Sequence, residues 1–129
     1  MVDDLIPADV QQFILKSIDS IAQLEALLLL RGQSEEGWSV PAVAQRLYIT
    51  EQETSTLLAR LHAEGLIAAE EGEPLKYRYK PSSVELGELV KRVAEIYVRH
   101  LVPVTNLIHS KPRTRIQEFA DAFKLRKDD

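Results

Sequence analysis

The sequence predicts a mainly α-helical fold with one small β-hairpin and a long C-terminal helix. Over most of its 129 residues, apolar side chains recur at steps of three and four, as on one face of a helix. Between residues 66 and 80 the spacing changes to an alternation of period two around a turn. Helical spacing then returns after residue 82 and continues past residue 100.

The first helical segment is expected to begin near Pro7, because proline is tolerated in the first turn of a helix. Its apolar face continues to Leu30, and Gly32 is expected to end it. The polar residues Ser17, Asp19 and Ser20 interrupt the pattern and predict a division into two helices.

A helix, a tight turn and a second helix are predicted between Ser39 and Gly65. Ser39 can cap the first of these helices, and Tyr48-Ile49-Thr50 forms the turn. Thr50 can then cap the second helix while Glu53 reaches back to it, which is the capping-box pattern. Gly65 is expected to end this second helix.

Two short strands follow, over residues 66–69 and 75–80, joined by a turn at residues 70–74. Side chains on successive residues of a strand point to opposite faces. One face of the second strand, predicted to pack on the core, consists of Leu75, Tyr77 and Tyr79. The other face, predicted to be exposed, consists of Lys76, Arg78 and Lys80.

A long helix is predicted after a second capping box, Ser82-Ser83-Val84-Glu85. Pro103 lies within its apolar pattern and predicts a kink or break near His100. Apolar positions step alternately by four and three residues, the spacing of the seam between paired helices. The predicted dimer interface therefore consists of Leu86, Val90, Val93, Tyr97 and Val104.

Helix, turn, helix and hairpin in this order resemble the winged helix-turn-helix superfamily of bacterial transcription regulators. The resemblance covers residues 18–80, and the segments that carry it are 24–30, 38–47, 57–67 and 76–79. The long helix that follows is similar in architecture to the dimerisation helices of the MarR and PadR groups. The resemblance implies a cytoplasmic, dimeric, DNA-binding regulator of transcription.

The resemblance also implies that helix 51–63 enters the DNA major groove and that strand 75–80 lies on the phosphate backbone. On the helix, the face opposite the apolar residues carries small and polar side chains that can bind bases or phosphates. The predicted DNA-binding residues are therefore Gln52, Ser55, Thr56 and Arg60 on the helix and Lys76, Arg78 and Lys80 on the strand.

The distribution of charge opposes DNA binding. Residues 1–80 have a net charge of −6, from 7 basic and 13 acidic side chains, whereas residues 81–129 have a net charge of +2. Proteins that bind DNA normally concentrate positive charge on the binding surface. Glu51 and Glu53 lie where phosphates would approach, although they can instead complement the helix dipole. An alternative therefore stays open: a winged-helix protein–protein interaction module that has lost DNA binding.

The chain is predicted to consist of two regions, a winged-helix domain over residues 1–80 and a helical dimerisation region over residues 81–129. A third capping box at residues 114–117 predicts a short last helix. The tail from 111 to 127 has a net charge of +4 and either contacts DNA or an acidic partner, or docks on the body with its charges in water.

Other classes of protein find little support in the sequence. It contains no cysteine, its three histidines (His62, His100 and His109) lie far apart, and no phosphate-binding or catalytic motif is present. We therefore expect no cofactor, no metal site and no enzymatic activity. Trp38 and Tyr48 are expected to be core or turn-packing aromatics. Without a signal-like N-terminus or a long apolar run, a cytoplasmic location without membrane contact is expected.

Overall fold

The computed structural model describes residues 5–110. The third capping box and the basic tail, predicted over residues 111–127, lie outside this range. No helix within the described range combines the length and the apolar character needed to cross a membrane. The described chain has six helices and three strands: α1 (Ala8–Ser17), α2 (Ile21–Gly32), β1 (Trp38–Ser39), α3 (Val40–Leu47), α4 (Glu51–Ala63), β2 (Ile67–Glu70), β3 (Lys76–Tyr79), α5 (Val84–Arg99) and α6 (101–110).

The predicted division of the first helical segment is confirmed. Residues 18–20, which we call the elbow, separate α1 from α2, and Ile18 has an extended backbone. The side chain of Ser20 caps α2 by accepting a hydrogen bond from the backbone N–H of Gln23. The buried Gln23 side chain donates to the carbonyl of Ser17 and accepts from the N–H of Asp19, each at 2.8 Å. The elbow is therefore held by its own hydrogen bonds.

The helix–turn–helix is confirmed between α3 and α4. Ser39 caps α3, and Thr50 caps α4 by accepting from the N–H of Glu53 at 3.0 Å. Tyr48, in the turn between them, adopts the left-handed conformation with φ of 59°. The prediction that Tyr48 packs in the core or turn is wrong, because its side chain is 94% exposed. The ring of Tyr48 therefore lies in solvent at the turn between α3 and α4.

The three strands form one antiparallel sheet in the order β1-β3-β2. The β2–β3 hairpin together with Lys80, residues 67–80, is the predicted wing, with Ala68 paired to Arg78. Tyr77 and Tyr79 pack on the core as predicted, but Leu75 precedes the strand and is 42% exposed. Strand β1 was not predicted, because two residues are too few to show periodicity.

The C-terminal helices follow the predicted pattern with one shift. Ser83, not Ser82, caps α5, since the Ser83 hydroxyl accepts from the N–H of Leu86. The predicted break near His100 is confirmed, because this residue is non-helical between α5 and α6. Pro103 lies in the first turn of α6, where a backbone N–H has no helical partner to lose.

One apolar core includes residues of both the winged helix and α5–α6. Helix α1 packs against α5 and occupies its seam. Val90 and Val93 of α5 and Val104 of α6 are buried completely within the single chain. Their assignment to a dimer interface is corrected, because a side chain without exposed surface has none left for a partner chain.

Candidate nucleic-acid interface

The outward face of α4 carries three of the predicted DNA-binding residues. Thr54, Leu57, Leu58 and Leu61 hold the opposite face in the core. Gln52, Ser55 and Thr56, which together we call the α4 face, are exposed as the helical period requires.

The polar groups of the α4 face are open to a ligand. The Thr56 hydroxyl donates to the carbonyl of Gln52 at 3.1 Å and keeps its capacity to accept. Within residues 5–110 the side chains of Gln52 and Ser55 form no hydrogen bond. The α4 face is thus an accessible patch of neutral hydrogen-bonding groups.

Arg60, the fourth predicted contact on α4, is held by the chain itself. Its Nε lies 3.3 Å from a carboxylate oxygen of Asp19, and its Nη1 lies 3.3 Å from one of Glu64. Its Nη2 donates to the carbonyl of Lys16 at 3.1 Å. The guanidinium group therefore points toward the elbow and belongs to an internal network.

The acidic partners of Arg60 were not identified from the sequence. Glu64 follows Arg60 by four residues, a spacing at which helical side chains meet. The ion pair between Arg60 and Glu64 is therefore predictable from the sequence. Asp19 lies in the elbow, and only the packing of α4 beside it brings the two side chains together.

Of the three basic residues of the wing, one forms an ion pair within residues 5–110 and two do not. The Nε of Arg78 lies 3.2 Å from a carboxylate oxygen of Glu70, and its Nη1 donates to the carbonyl of Ser34. Arg78 thereby joins the wing to the loop before β1. Lys76 and Lys80 are exposed, and within residues 5–110 neither forms an ion pair.

The potential around the two open lysines is weakened by acidic neighbours in sequence. Glu71 and Glu73, in the turn of the wing, are exposed. Glu51 and Glu53 lie in the first turn of α4, where they complement the partial positive charge of the helix terminus. These four carboxylates outnumber the two open lysines, so the candidate surface lacks the excess of positive charge of a typical DNA-binding domain.

The wing and α4 are connected directly. The rings of His62, in the last turn of α4, and Tyr77, in β3, pack edge to face with centroids 6.2 Å apart. In the described part of the chain, no group of three or more His, Cys, Asp or Glu side chains could hold a metal ion. His62 therefore packs against the wing through Tyr77.

The predicted dimer residues that keep surface are Leu86 and Tyr97, both half-buried. A different apolar cluster is more exposed, around the junction of α5 and α6. We call it the junction patch, and it consists of Val98, Leu101 and Val102, which are 83%, 53% and 64% exposed. These three side chains lie close together in sequence, and contiguous exposed apolar patches mark interaction surfaces.

No protein-family model matches the sequence, and no curated protein sequence matches it. Solved structures are similar. HlyU from Vibrio cholerae N16961 has a TM-score of 0.54 and 22% identity, over 70% of this chain and 95% of HlyU.

Two further solved structures align with most of this chain. A MepR mutant from S. aureus, solved with an oligodeoxyribonucleotide, has a TM-score of 0.55 and 18% identity over 93% of this chain and 86% of MepR. A MarR family protein from Bacillus stearothermophilus has a TM-score of 0.52 and 20% identity over 93% of this chain and 81% of its own. The chain thus has a MarR-like winged helix-turn-helix fold, as its sequence predicts.

Proposed function

We propose that this protein is a DNA-binding transcriptional regulator of the winged-helix type. In this proposal α4 enters the major groove and the wing lies along the phosphate backbone. The observation that carries it is the α4 face, an exposed strip of hydrogen-bonding side chains of which only the Thr56 hydroxyl bonds within residues 5–110, as a donor. Gln52 can form a bidentate contact with adenine, and Ser55 and Thr56 suit bases or phosphates. The similar fold of MepR, solved with an oligodeoxyribonucleotide, supports this reading of α4.

The charges determine how strongly such a protein binds. Of the three predicted wing contacts, Lys76 and Lys80 are free to neutralise phosphates, while Arg78 is paired. A dimer would present four such lysines. Since each neutralised phosphate lowers the slope of log K against log salt by about 0.9, we expect a slope near −4. A slope of this size indicates modest non-specific affinity, so that base contacts from α4 decide which sites are occupied.

The proposed regulator is a symmetric dimer, formed in part through the junction patch. A two-fold axis relating two α4 helices requires a two-fold operator, with half-sites about 34 Å apart along the DNA. The protein is proposed to act by binding alone, without catalysis, in the bacterial cytoplasm.

A second candidate function is protein–protein interaction through the α4 face. Arg60 and Arg78 are paired with carboxylates of the chain, so neither adds a free positive charge to this face. The exposed carboxylates of Glu51, Glu53 and the wing turn then determine the sign of the charge around it. Such a surface would repel phosphates and attract a basic partner.

A salt titration of DNA binding separates the two functions. Fluorescence anisotropy of wild-type protein with duplex fragments of the source genome is expected to show binding below 0.1 M salt, with the stated slope. Lys76→Ala and Lys80→Ala should each weaken binding and make the slope shallower by about one to two units in a dimer. Lys91→Ala removes an exposed lysine of α5 and serves as the matched control, with little change expected.

Failure to bind any duplex at low salt would exclude the regulator and leave the interaction module. Binding with equal loss for Lys91→Ala and Lys80→Ala would instead show that the wing is not the contact surface.

A further inference from the structure

Two of the three contacts of Arg60 connect α4 to the α1–α2 junction, and the third lies at the end of α4 itself. Its guanidinium approaches the carboxylates of Asp19 and Glu64 and donates to the carbonyl of Lys16. Glu64 in turn accepts a hydrogen bond of 2.8 Å from the hydroxyl of Ser17, at the end of α1. Asp19, Lys16 and Ser17 all lie at the α1–α2 junction, so three links of this network run between that junction and the C-terminal end of α4. The fourth link, between Arg60 and Glu64, lies within that end of α4.

The network spans a side of α4 where apolar packing is incomplete. A groove of about 460 Å³ separates the elbow and the start of α2 from α4. Ser20 and Gln23 line one side of the groove, Gln52 and Thr56 line the other, and Arg60 also contributes to its wall. Where apolar side chains do not fill the space between two helices, a polar link across the gap contributes to their relative orientation. Arg60 supplies such a link here.

The elbow is a firm attachment point for this link. The buried amide of Gln23 is bonded to the backbone on both sides of Ile18, which has no exposed surface. Helix α1 continues from the elbow to Asp9, whose carboxylate forms a bidentate pair with Arg92 of α5. The placement of α4 is thereby connected through α1 to α5.

We propose that Arg60 is a positioning residue, which sets the angle at which α4 presents Gln52, Ser55 and Thr56, and that it does not itself contact DNA. The inference rests on the proposed function. To reach DNA, the guanidinium would have to leave two carboxylates and a carbonyl, and Asp19 and Glu64 would then be left as partly buried charges without it.

Asp19→Asn gives a test in which positioning and simple electrostatics predict opposite results. This substitution removes a negative charge beside α4, so electrostatics alone predicts tighter DNA binding. Loss of the Arg60 partner predicts the reverse, weaker binding by about fivefold to a duplex selected from a random pool on the wild-type protein. Glu53→Gln, which removes an exposed charge from the same helix outside the network, is the matched control and should bind more tightly.

Arg60→Gln completes a double-mutant cycle. If the two residues act as one unit, the double variant should bind no worse than Arg60→Gln alone. The ratio of the affinity for the selected duplex to that for a random-sequence duplex should fall in Asp19→Asn, in Arg60→Gln and in the double variant. The salt slope should stay unchanged in all three. A general loss of folded protein would lower both affinities together and would appear in circular dichroism.

Three outcomes decide the matter. Tighter binding by Asp19→Asn, together with weaker binding and a shallower salt slope for Arg60→Gln, would show that Arg60 contacts DNA and would overturn the proposal. Additive losses in the cycle would overturn it as well. Absence of DNA binding by the wild-type protein would remove the proposed function and this inference with it.

Discussion

The hydroxyl of Tyr97 donates a hydrogen bond of 2.7 Å to a carboxylate oxygen of Glu25, and this bond joins α5 to α2. Partial burial, with the hydrogen bond and the negative charge of Glu25 added, raises the pKa of Tyr97 to about 12. The bond therefore exists only while the phenol keeps its proton. It links the long C-terminal helix to the winged helix at a point where both side chains are half-buried.

The raised pKa of Tyr97 predicts a loss of stability at high pH. The folded protein holds the phenolic proton more tightly than the unfolded chain, whose tyrosine has a pKa near 10. The stabilisation is therefore complete below pH 10 and is lost as the pH rises toward 12. Because Tyr97 is partly exposed, we expect a loss of about 1 kcal/mol, well below the roughly 2.7 kcal/mol of a full two-unit shift.

Tyr97→Phe is the control for this pH dependence. It should be less stable than the wild type by about 1 kcal/mol at pH 8, and the difference should vanish by pH 12. Urea denaturation of the two proteins at a series of pH values measures the difference at pH 8 and its disappearance by pH 12. A constant difference across the series would contradict the role given to the Tyr97 proton.

Tyr48→Gly is expected to stabilise the protein. A non-glycine residue in the left-handed conformation is strained by about 1–2 kcal/mol, and the ring at this position is almost wholly exposed. Glycine relieves that strain but loses more backbone entropy on folding, so a net gain of about 0.5–1 kcal/mol is expected. The midpoint of thermal unfolding should rise accordingly.

Tyr48→Ala separates the backbone from the ring. Alanine keeps the left-handed strain and removes only an exposed ring, so its stability should match the wild type. Destabilisation by Tyr48→Ala would show that the ring makes a contact important to the fold, contrary to its 94% exposure.

Gly65→Ala is expected to destabilise the end of α4. Gly65 has a φ of 76°, and a methyl group there would lie 2.7 Å from the Ser82 hydroxyl oxygen and 3.3 Å from its Cβ. The backbone strain alone amounts to about 1–2 kcal/mol. Adding Ser82→Ala removes the oxygen but not the Cβ, so the double variant should recover less than half of the loss in urea denaturation. Full recovery would place the strain in the side-chain contact.

The junction patch predicts which substitutions disrupt a dimer. Val98→Glu with Val102→Glu should yield a folded monomer in sedimentation experiments, because both side chains are exposed in the single chain. Val93→Glu should instead unfold the protein, since a buried unpaired charge is destabilising by several kcal/mol. A folded dimer for the double variant would place the interface elsewhere.

Local signals in the sequence predicted the helices and their ends well. Ser39 and Thr50 cap the helices that they were predicted to cap, and Pro103 explains the break at His100. The capping residue of α5 was misplaced by one position because two serines stand in succession. Strand β1 was missed, since pairing of Trp38 with Tyr77 joins segments far apart in the chain.

The candidate site was predictable only where exposure follows from helical periodicity. The α4 face could be read from the positions of Gln52, Ser55 and Thr56 relative to the apolar residues of the same helix. The pairing of Arg60 with Asp19 could not, because an arginine on the border of a helix has the same sequence pattern whether it faces water or a neighbouring carboxylate.

The sequence by itself determined where the helices, the turn and the wing lie, because periodicity, caps and turn conformations depend on residues within a few positions of one another. Only the tertiary structure decided which polar groups are open and which apolar faces are covered. Packing of α1 on α5 buries Val90 and Val93, and packing of α4 beside the elbow pairs Arg60 with Asp19. Both depend on the distance between elements, which is set by the whole core.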